Sequence, residues 1–183
     1  SSAFYNCGFL VSIVLPKSLK SIGDTAFANC SAQRLAIPES VETIGRNAFL
    51  SYSLKSIDVM GNNPNYRSDG GVLYSKDGKV LVSVPAVVGG DSYSVSDDVV
   101  RIGEGAFSSC HWLKEVVVPD GVQEIGDGAF VNCSQLKTID LPGSVEKIGY
   151  NAIPSREATI RAPKGSFAEQ YAKREKKNFA PLD

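Results

Sequence analysis

The sequence predicts a repeat protein of the α/β class, a solenoid of coils about 23 residues long built from short strands and helical turns. Two observations predict it. Ile22-Gly23-x-x-Ala26-Phe27 returns as Ile44-Gly45-x-x-Ala48-Phe49, Ile102-Gly103-x-x-Ala106-Phe107 and Ile125-Gly126-x-x-Ala129-Phe130. A worn copy follows at Ile148-Gly149-x-x-Ala152-Ile153, and Ala3-Phe4 is the tail of an earlier one. The steps from Ala to Ala are then 23, 22, 58, 23 and 23 residues. A period in this range belongs to coils that bury their apolar side by stacking on their neighbours. The one long step marks an interruption, and about seven coils fit the chain.

The clearest coil runs from Ala129 to Gly149. Leu136, Ile139 and Leu141 have the Leu-x-x-Leu-x-Leu spacing of a leucine-rich repeat strand. Alternation over Ile139-Asp140-Leu141 turns two side chains inward and one outward. Pro142 cannot donate a ladder hydrogen bond and ends the strand. Val145 and Ile148 read as a second short inward-facing segment on the opposite wall. Gly149 permits a turn that a β-carbon would resist. The Ala-Phe stretch reads as one helical turn that carries Phe into the core.

The recurring unit Ile-Gly-x-x-Ala-Phe-x-x-Cys-x-x-Leu-x-x-Ile-x-Ile-Pro-x-Ser-Val resembles the BspA-like class of bacterial leucine-rich repeats, over nearly the whole chain. The resemblance implies a leucine-rich repeat solenoid in a surface or secreted protein used in adhesion. It implies an extracellular or bacterial cell-surface location, with a host or matrix protein, a glycan or another bacterial surface protein as partner.

The 58-residue step exceeds two coils by roughly a dozen residues. Two apolar runs, Val72-Leu73-Tyr74 and Val80-Leu81-Val82, flank Asp77-Gly78, a strong short-range hairpin signal. The expectation is a β-hairpin insert over about residues 62–92, and the BspA-like class often carries a similar Asp-Gly-Val-Leu-Tyr-Ser-x-Asp-Gly segment. Tyr93-Ser94-Val95 then restores the coil. Near the C-terminus Ser166-Phe167-Ala168-Glu169 fits a capping box. Phe167 and Tyr171, like Ala168 and Ala172, are four apart, which gives one apolar helical face. A cap over about 164–183 would cover the last coil's open edge. The whole of 1–183 reads as one domain. Ser1-Ser2-Ala3-Phe4 begins in mid-coil, so the expectation is a fragment of a longer protein.

The charge balance, 19 Lys plus Arg against 20 Asp plus Glu, argues against nucleic acid as partner. No stretch is long and apolar enough to insert in a membrane. Cys7, Cys30, Cys110 and Cys133 each lie three residues after a repeat Phe, which marks them as a core ladder of free thiols. With no Cys-x-x-Cys and His111 as the only histidine, no metal or cofactor is expected. Asn6, Asn29 and Asn132 precede three of these cysteines, and their amides are expected to satisfy backbone groups at the turn. Asp-Gly at 69–70 and 77–78 reads as turn chemistry. Trp112 is either an exposed contact residue or filler beneath a coil.

No catalytic group stands out, so the expectation is a non-catalytic binding or adhesion module and not an enzyme. The alternative is an accessory or spacer domain of a larger secreted protein. The expected contact surface is the concave, strand-lined face, with Ser12, Arg34, Ser56, Asp58, Glu115, Val117, Thr138 and Asp140 pointing outward and Val14 and Ala36 beside them. Tyr66, Tyr74 and Tyr93 in the insert form a second candidate surface, or else pack the insert onto the solenoid.

Overall fold

The structure is a computed structural model that describes residues 1–182; Asp183, the end of the expected cap, lies outside the described residues. In chain order the strands begin with β1 (Ser21–Ile22), β2 (Arg34–Ile37), β3 (Thr43–Ile44), β4 (Ser56–Val59), β5 (Tyr66–Asp69), β6 (Val72–Ser75), β7 (Val80–Ser83) and β8 (Ser92–Ser94). There follow β9 (Arg101–Ile102), β10 (Glu115–Val117), β11 (Glu124–Ile125), β12 (Thr138–Asp140), β13 (Lys147–Ile148) and β14 (Thr159–Ala162). The helix α1 (Phe167–Arg174) and the strand β15 (Asn178–Pro181) end the chain.

The coils stack into two parallel-stranded walls. One wall holds the longer strands, β2 beside β4 and then β8, β10, β12, β14 and β15 in that order. The other holds β1 beside β3, and then β7, β9, β11 and β13. The pairing preserves the repeat, so Val116 lies opposite Ile139, Ile139 opposite Ile160, and Ile125 opposite both Ile102 and Ile148. Leu136, Ile139, Leu141, Val145 and Ile148 of the reference coil are all buried. Each coil therefore presents the same apolar profile to the next.

The repeat glycine has a different role from the one expected. A β-carbon on Gly126 would lie 2.7 Å from the amide nitrogen of Glu104, and one on Gly149 would lie 2.6 Å from that of Asp127. Backbone of the preceding coil fills that space, so close stacking, not turn conformation, excludes a side chain.

The Ala-Phe corner is not a helical turn. It is a series of tight turns in which alternate amides bond within the coil and to the next coil. Ala26, Ala28 and Cys30 donate three residues back, whereas Thr25, Phe27 and Asn29 donate to the carbonyls of Arg46, Ala48 and Leu50 at 2.8–2.9 Å. This alternation needs two left-handed residues per corner. φ is positive two residues before the repeat aromatic (Ser2, Thr25, Asn47, Gly105, Gly128) and again two residues after it (Asn6, Asn29, Ser109, Asn132). That explains the repeated asparagine, which tolerates left-handed backbone. Backbone satisfaction by its amide is not the reason, since the buried Oδ1 of Asn29 has no partner. Thr25 is the poorest choice among these positions, because it is β-branched. Thr25→Asn, matching Asn47, is expected to raise the unfolding free energy by about 1 kcal/mol in urea melts.

Phe4, Phe27 and Phe49 stack face to face at 5.3 and 6.2 Å, and Phe107 stacks on Phe130 at 4.9 Å. The insert interrupts this column. β6 pairs antiparallel with both β5 and β7, and Asp77-Gly78 forms the turn between β6 and β7. β5 adds a strand beyond the expected hairpin. β6 is buried on both faces: Leu73 joins an N-terminal core cluster with Leu35, Phe49 and Ile57, whereas Val72 and Tyr74 join a C-terminal cluster with Leu81, Ile102 and Phe107. The insert is thus a septum between two cores.

Among the described residues α1 is the only helix, so the α/β description overstates the helical content. The Ser166 hydroxyl accepts the Glu169 amide at 3.3 Å, and the Glu169 carboxylate accepts the Gly165 amide at 2.6 Å. Ala168, Tyr171 and Ala172 are buried, and the helix packs on β13, β14 and β15. β15 adds the next strand to the first wall.

Candidate functional site

The wall of longer strands carries two rows of outward side chains. On β2 and β4, Arg34 lies beside Ser56 and Ala36 beside Asp58. On β8, β10, β12 and β14 one row runs Ser92, Glu115, Thr138, Thr159 and the other Ser94, Val117, Asp140, Arg161. Arg34, Asp58, Glu115 and Val117 are exposed, whereas Ser56, Thr138 and Asp140 are half-buried. Ser12 and Val14 are also exposed, beside inward Ile13 and Leu15, but no strand forms there. The rows are not continuous. Between β4 and β8 the β5–β6 turn intervenes, with the Ile57 amide donating to the Gly71 carbonyl at 2.8 Å and the Val59 amide to the Ser68 hydroxyl at 2.9 Å.

Sequence reading missed Ser92, Ser94, Thr159 and Arg161 on this wall. The alternation in Thr159-Ile160-Arg161-Ala162 was the available signal. Arg161 forms a two-pronged ion pair with Asp140, its Nε 2.6 Å from Oδ1. The hydrogen bonds and charge of Asp140 raise the Arg161 pKa. Lys114 pairs with Asp91 and Lys137 with Glu157, both at 2.9 Å, along the rim. The face is therefore of mixed charge with small side chains, suited to a broad contact.

The three tyrosines of the second candidate surface turn inward. The Tyr66 hydroxyl accepts the Ile44 amide at 3.0 Å, and its ring packs on the N-terminal cluster. Tyr74 is buried, its hydroxyl 3.3 Å from that of Tyr93, and Tyr93 meets Phe107 edge-on at 5.2 Å. Burial raises the Tyr66 and Tyr93 pKa values. The packing alternative fits this geometry. Trp112 likewise packs against the C-terminal cluster, and His111 stacks on Tyr52 at 5.0 Å with Nδ1 3.0 Å from the Ser134 hydroxyl. Asp77 accepts the Ser75 hydroxyl and the Lys79 amide, a turn role that lowers its pKa.

The coil geometry agrees with what similar proteins show. The BspA type leucine rich repeat region matches in six copies, over residues 1–69 and 91–160. The chain belongs to the BspA-type leucine-rich repeat family. Among solved structures, a leucine-rich repeat protein from Eubacterium ventriosum is 32% identical with a TM-score of 0.72, over 82% of this chain and 41% of its own. The pneumococcal vaccine antigen PcpA is 28% identical with a TM-score of 0.71, over 79% of this chain and 42% of its own. A leucine rich cell surface protein from Faecalibacterium prausnitzii, 24% identical with a TM-score of 0.55 over 87% of this chain and 55% of its own, shares the fold. The chain thus spans about two fifths of the length of the first two relatives. No curated protein matches the sequence.

In this BspA-type chain the four cysteines are free, and Cys30, Cys110 and Cys133 are buried. The buried ladder thiols reach back one coil: Cys30 Sγ donates to the Phe4 carbonyl at 2.8 Å and Cys133 Sγ to that of Phe107 at 3.0 Å. Burial raises the Cys110 pKa and pushes Cys133 up to about 12. Thiolate is the reactive form. Timed alkylation followed by mass spectrometry is expected to label half-buried Cys7 in the native protein, and Cys110 and Cys133 only after unfolding. Among the described residues no cluster of His, Cys, Asp or Glu could hold a metal ion, and no helix is long and apolar enough to cross a membrane.

Proposed function

We propose that this domain is a non-catalytic binding module of a bacterial cell-surface or secreted protein, and that it recognises a protein or glycan through the wall of longer strands. The observation that carries the reading is the family match together with two rows of outward side chains that stacking leaves uncommitted. Ser12, Arg34, Ser56, Asp58, Glu115, Val117, Thr138 and Asp140 would supply the contacts. A contact spread over several coils gains affinity from many weak interactions. The name of PcpA as a vaccine antigen supports a surface location. In this reading α1 and β15 close the stack, as terminal caps of solenoids do.

A spacer role is the second reading, favoured by the chain spanning only about two fifths of its first relatives. The test is a screen of this domain against extracellular-matrix proteins and a glycan array, beside a variant with Arg34, Asp58, Glu115 and Asp140 all changed to Ala. A hit lost in the variant places recognition on this wall. A hit retained by the variant moves it elsewhere. Absence of any hit favours the spacer.

A further inference from the structure

The first cysteine departs from the thiol ladder. Cys30, Cys110 and Cys133 each aim at a carbonyl on the preceding rung: Phe4 at 2.8 Å, Val84 at 3.7 Å and Phe107 at 3.0 Å. Cys7 Sγ instead meets the Tyr5 carbonyl of its own corner, at 4.0 Å. The Phe4 carbonyl also accepts the Cys7 amide at 3.3 Å, so Cys30 Sγ and the Cys7 backbone share one oxygen. The Cys30 thiol accordingly interacts with both the amide and the thiol of Cys7. The Cys133 thiol interacts with the Cys110 amide alone, because Cys110 Sγ is turned one rung further back.

The backbone spacing suits a bridge. The Asn6 amide donates to the Ala28 carbonyl at 2.8 Å, so the two corners lie at the separation of hydrogen-bonded strands. That separation, about 4.8 Å, falls within the Cα range that a disulfide spans, about 4.4–6.8 Å. Parallel β-carbon vectors hold the sulfurs of a regular rung apart, and Cys7 is the one ladder cysteine whose sulfur leaves that pattern. Cys7 is half-buried, whereas Cys30 is buried.

We propose that Cys7 and Cys30 form an oxidation site, which a small-molecule disulfide converts into an intramolecular disulfide that ties the first coil to the second. The Cys7 thiolate attacks one sulfur of the oxidant, forms a mixed disulfide and releases the other half as a thiol. Cys30 then loses its proton, attacks the Cys7 sulfur and releases the second half as a thiol. Two protein thiols are thereby oxidised to one disulfide, and one oxidant disulfide is reduced to two thiols, which take up the two protons. Cys7 reacts first because it is the accessible thiol, and burial disfavours the Cys30 thiolate. The bond pins a coil that is otherwise weakly held. No strand forms before Ser21, and the first corner rests on the Ser2, Phe4 and Asn6 amides, which donate to Asp24, Ala26 and Ala28 at 2.7–2.8 Å. Oxidising surroundings are those of a surface or secreted chain, but the chemistry does not depend on the strand wall or on any ligand of it.

The test treats dilute, fully reduced protein with oxidised glutathione, blocks the remaining thiols by alkylation and maps tryptic peptides without reduction. The expected product joins peptide 1–17, which holds Cys7, to peptide 21–34, which holds Cys30, and leaves Cys110 and Cys133 alkylated. In Cys30→Ser the reaction should stop at a glutathione adduct on Cys7. Cys7→Ser should give neither adduct nor link. The map of the parent protein decides the matter even where Cys30→Ser does not fold. In the oxidised protein the Phe4 and Asn6 amides should exchange about tenfold more slowly, as closing one coil restrains local opening, and dithiothreitol should restore the faster rates. A lasting glutathione adduct on Cys7 of the parent, no reaction at Cys7, or a Cys110–Cys133 link formed as readily would overturn the site. Exchange unchanged by oxidation would overturn the pinning.

Discussion

Phe107→Ala should lower the unfolding free energy by about 3–5 kcal/mol. The ring is fully buried, lies face to face with Phe130 at 4.9 Å and meets the edge of Tyr93 at 5.2 Å. Truncation therefore removes apolar burial, leaves a cavity walled by stacked coils that cannot easily collapse, and breaks two aromatic contacts. The loss should exceed that of Phe49→Ala, because Phe49 stacks on one ring only, at 6.2 Å, and borders an open cleft lined also by Tyr66, Val82 and Gly105. Phe4→Ala should cost least, since Phe4 is 37% exposed. Trp112 is the natural probe for denaturant melts, because it packs on the same C-terminal cluster. A shift near zero for Phe107→Ala would mean that the repeat aromatic does not hold the stack.

The period and the apolar spacing were enough to place Phe107, Phe130, Ile139 and Leu141 in the core, because stacking demands the same inward positions from every coil. The outward direction of Arg34, Asp58, Glu115 and Val117 followed from strand alternation alone. The corner was not legible. Its first left-handed position holds Ser2, Thr25, Asn47, Gly105 and Gly128, and a set that includes a serine and a β-branched threonine gives no composition signal; the second showed only as a repeated asparagine. The septum was half legible: Val72-Leu73-Tyr74 is the continuous apolar run of a strand buried on both faces. Nothing in Tyr66-Arg67-Ser68-Asp69, which has no apolar alternation, reveals that β5 pairs antiparallel with β6. The three tyrosines had two sequence-compatible orientations, and the choice depended on which core cluster lay beneath each ring.

The septum also divides the energetics, because β6 turns Leu73 to the N-terminal cluster and Val72 and Tyr74 to the C-terminal one, as β7 does with Val82 and Leu81. Asn63 holds its entrance. The residue is fully buried and uses its whole amide: Nδ2 donates to the Pro38 and Val41 carbonyls at 3.1 and 2.9 Å, and Oδ1 accepts the Asn65 and Tyr66 amides at 2.8 and 2.9 Å. It thereby ties the first turn of the insert to the loop after β2. Asn63→Asp keeps the shape and the two accepted bonds but replaces two donors by an oxygen facing two carbonyls. At pH 7 the loss is expected to be about 3–5 kcal/mol, from two buried acceptors left unpaired and a charge buried beside them. Protonation of the new carboxyl restores one donor, so its folded pKa must lie above its unfolded value. The folded state then binds the proton more tightly, and the stability of the variant falls as pH rises from the unfolded carboxyl range through that raised pKa. The deficit against the parent protein should accordingly shrink between pH 7 and about pH 4, the ordinary Asp range. It should also be larger by far-UV circular dichroism than by Trp112 fluorescence, because Pro38, Val41 and Tyr66 belong to the N-terminal half. A deficit equal at both pH values would show that the lost donors, and not the buried charge, account for the whole effect.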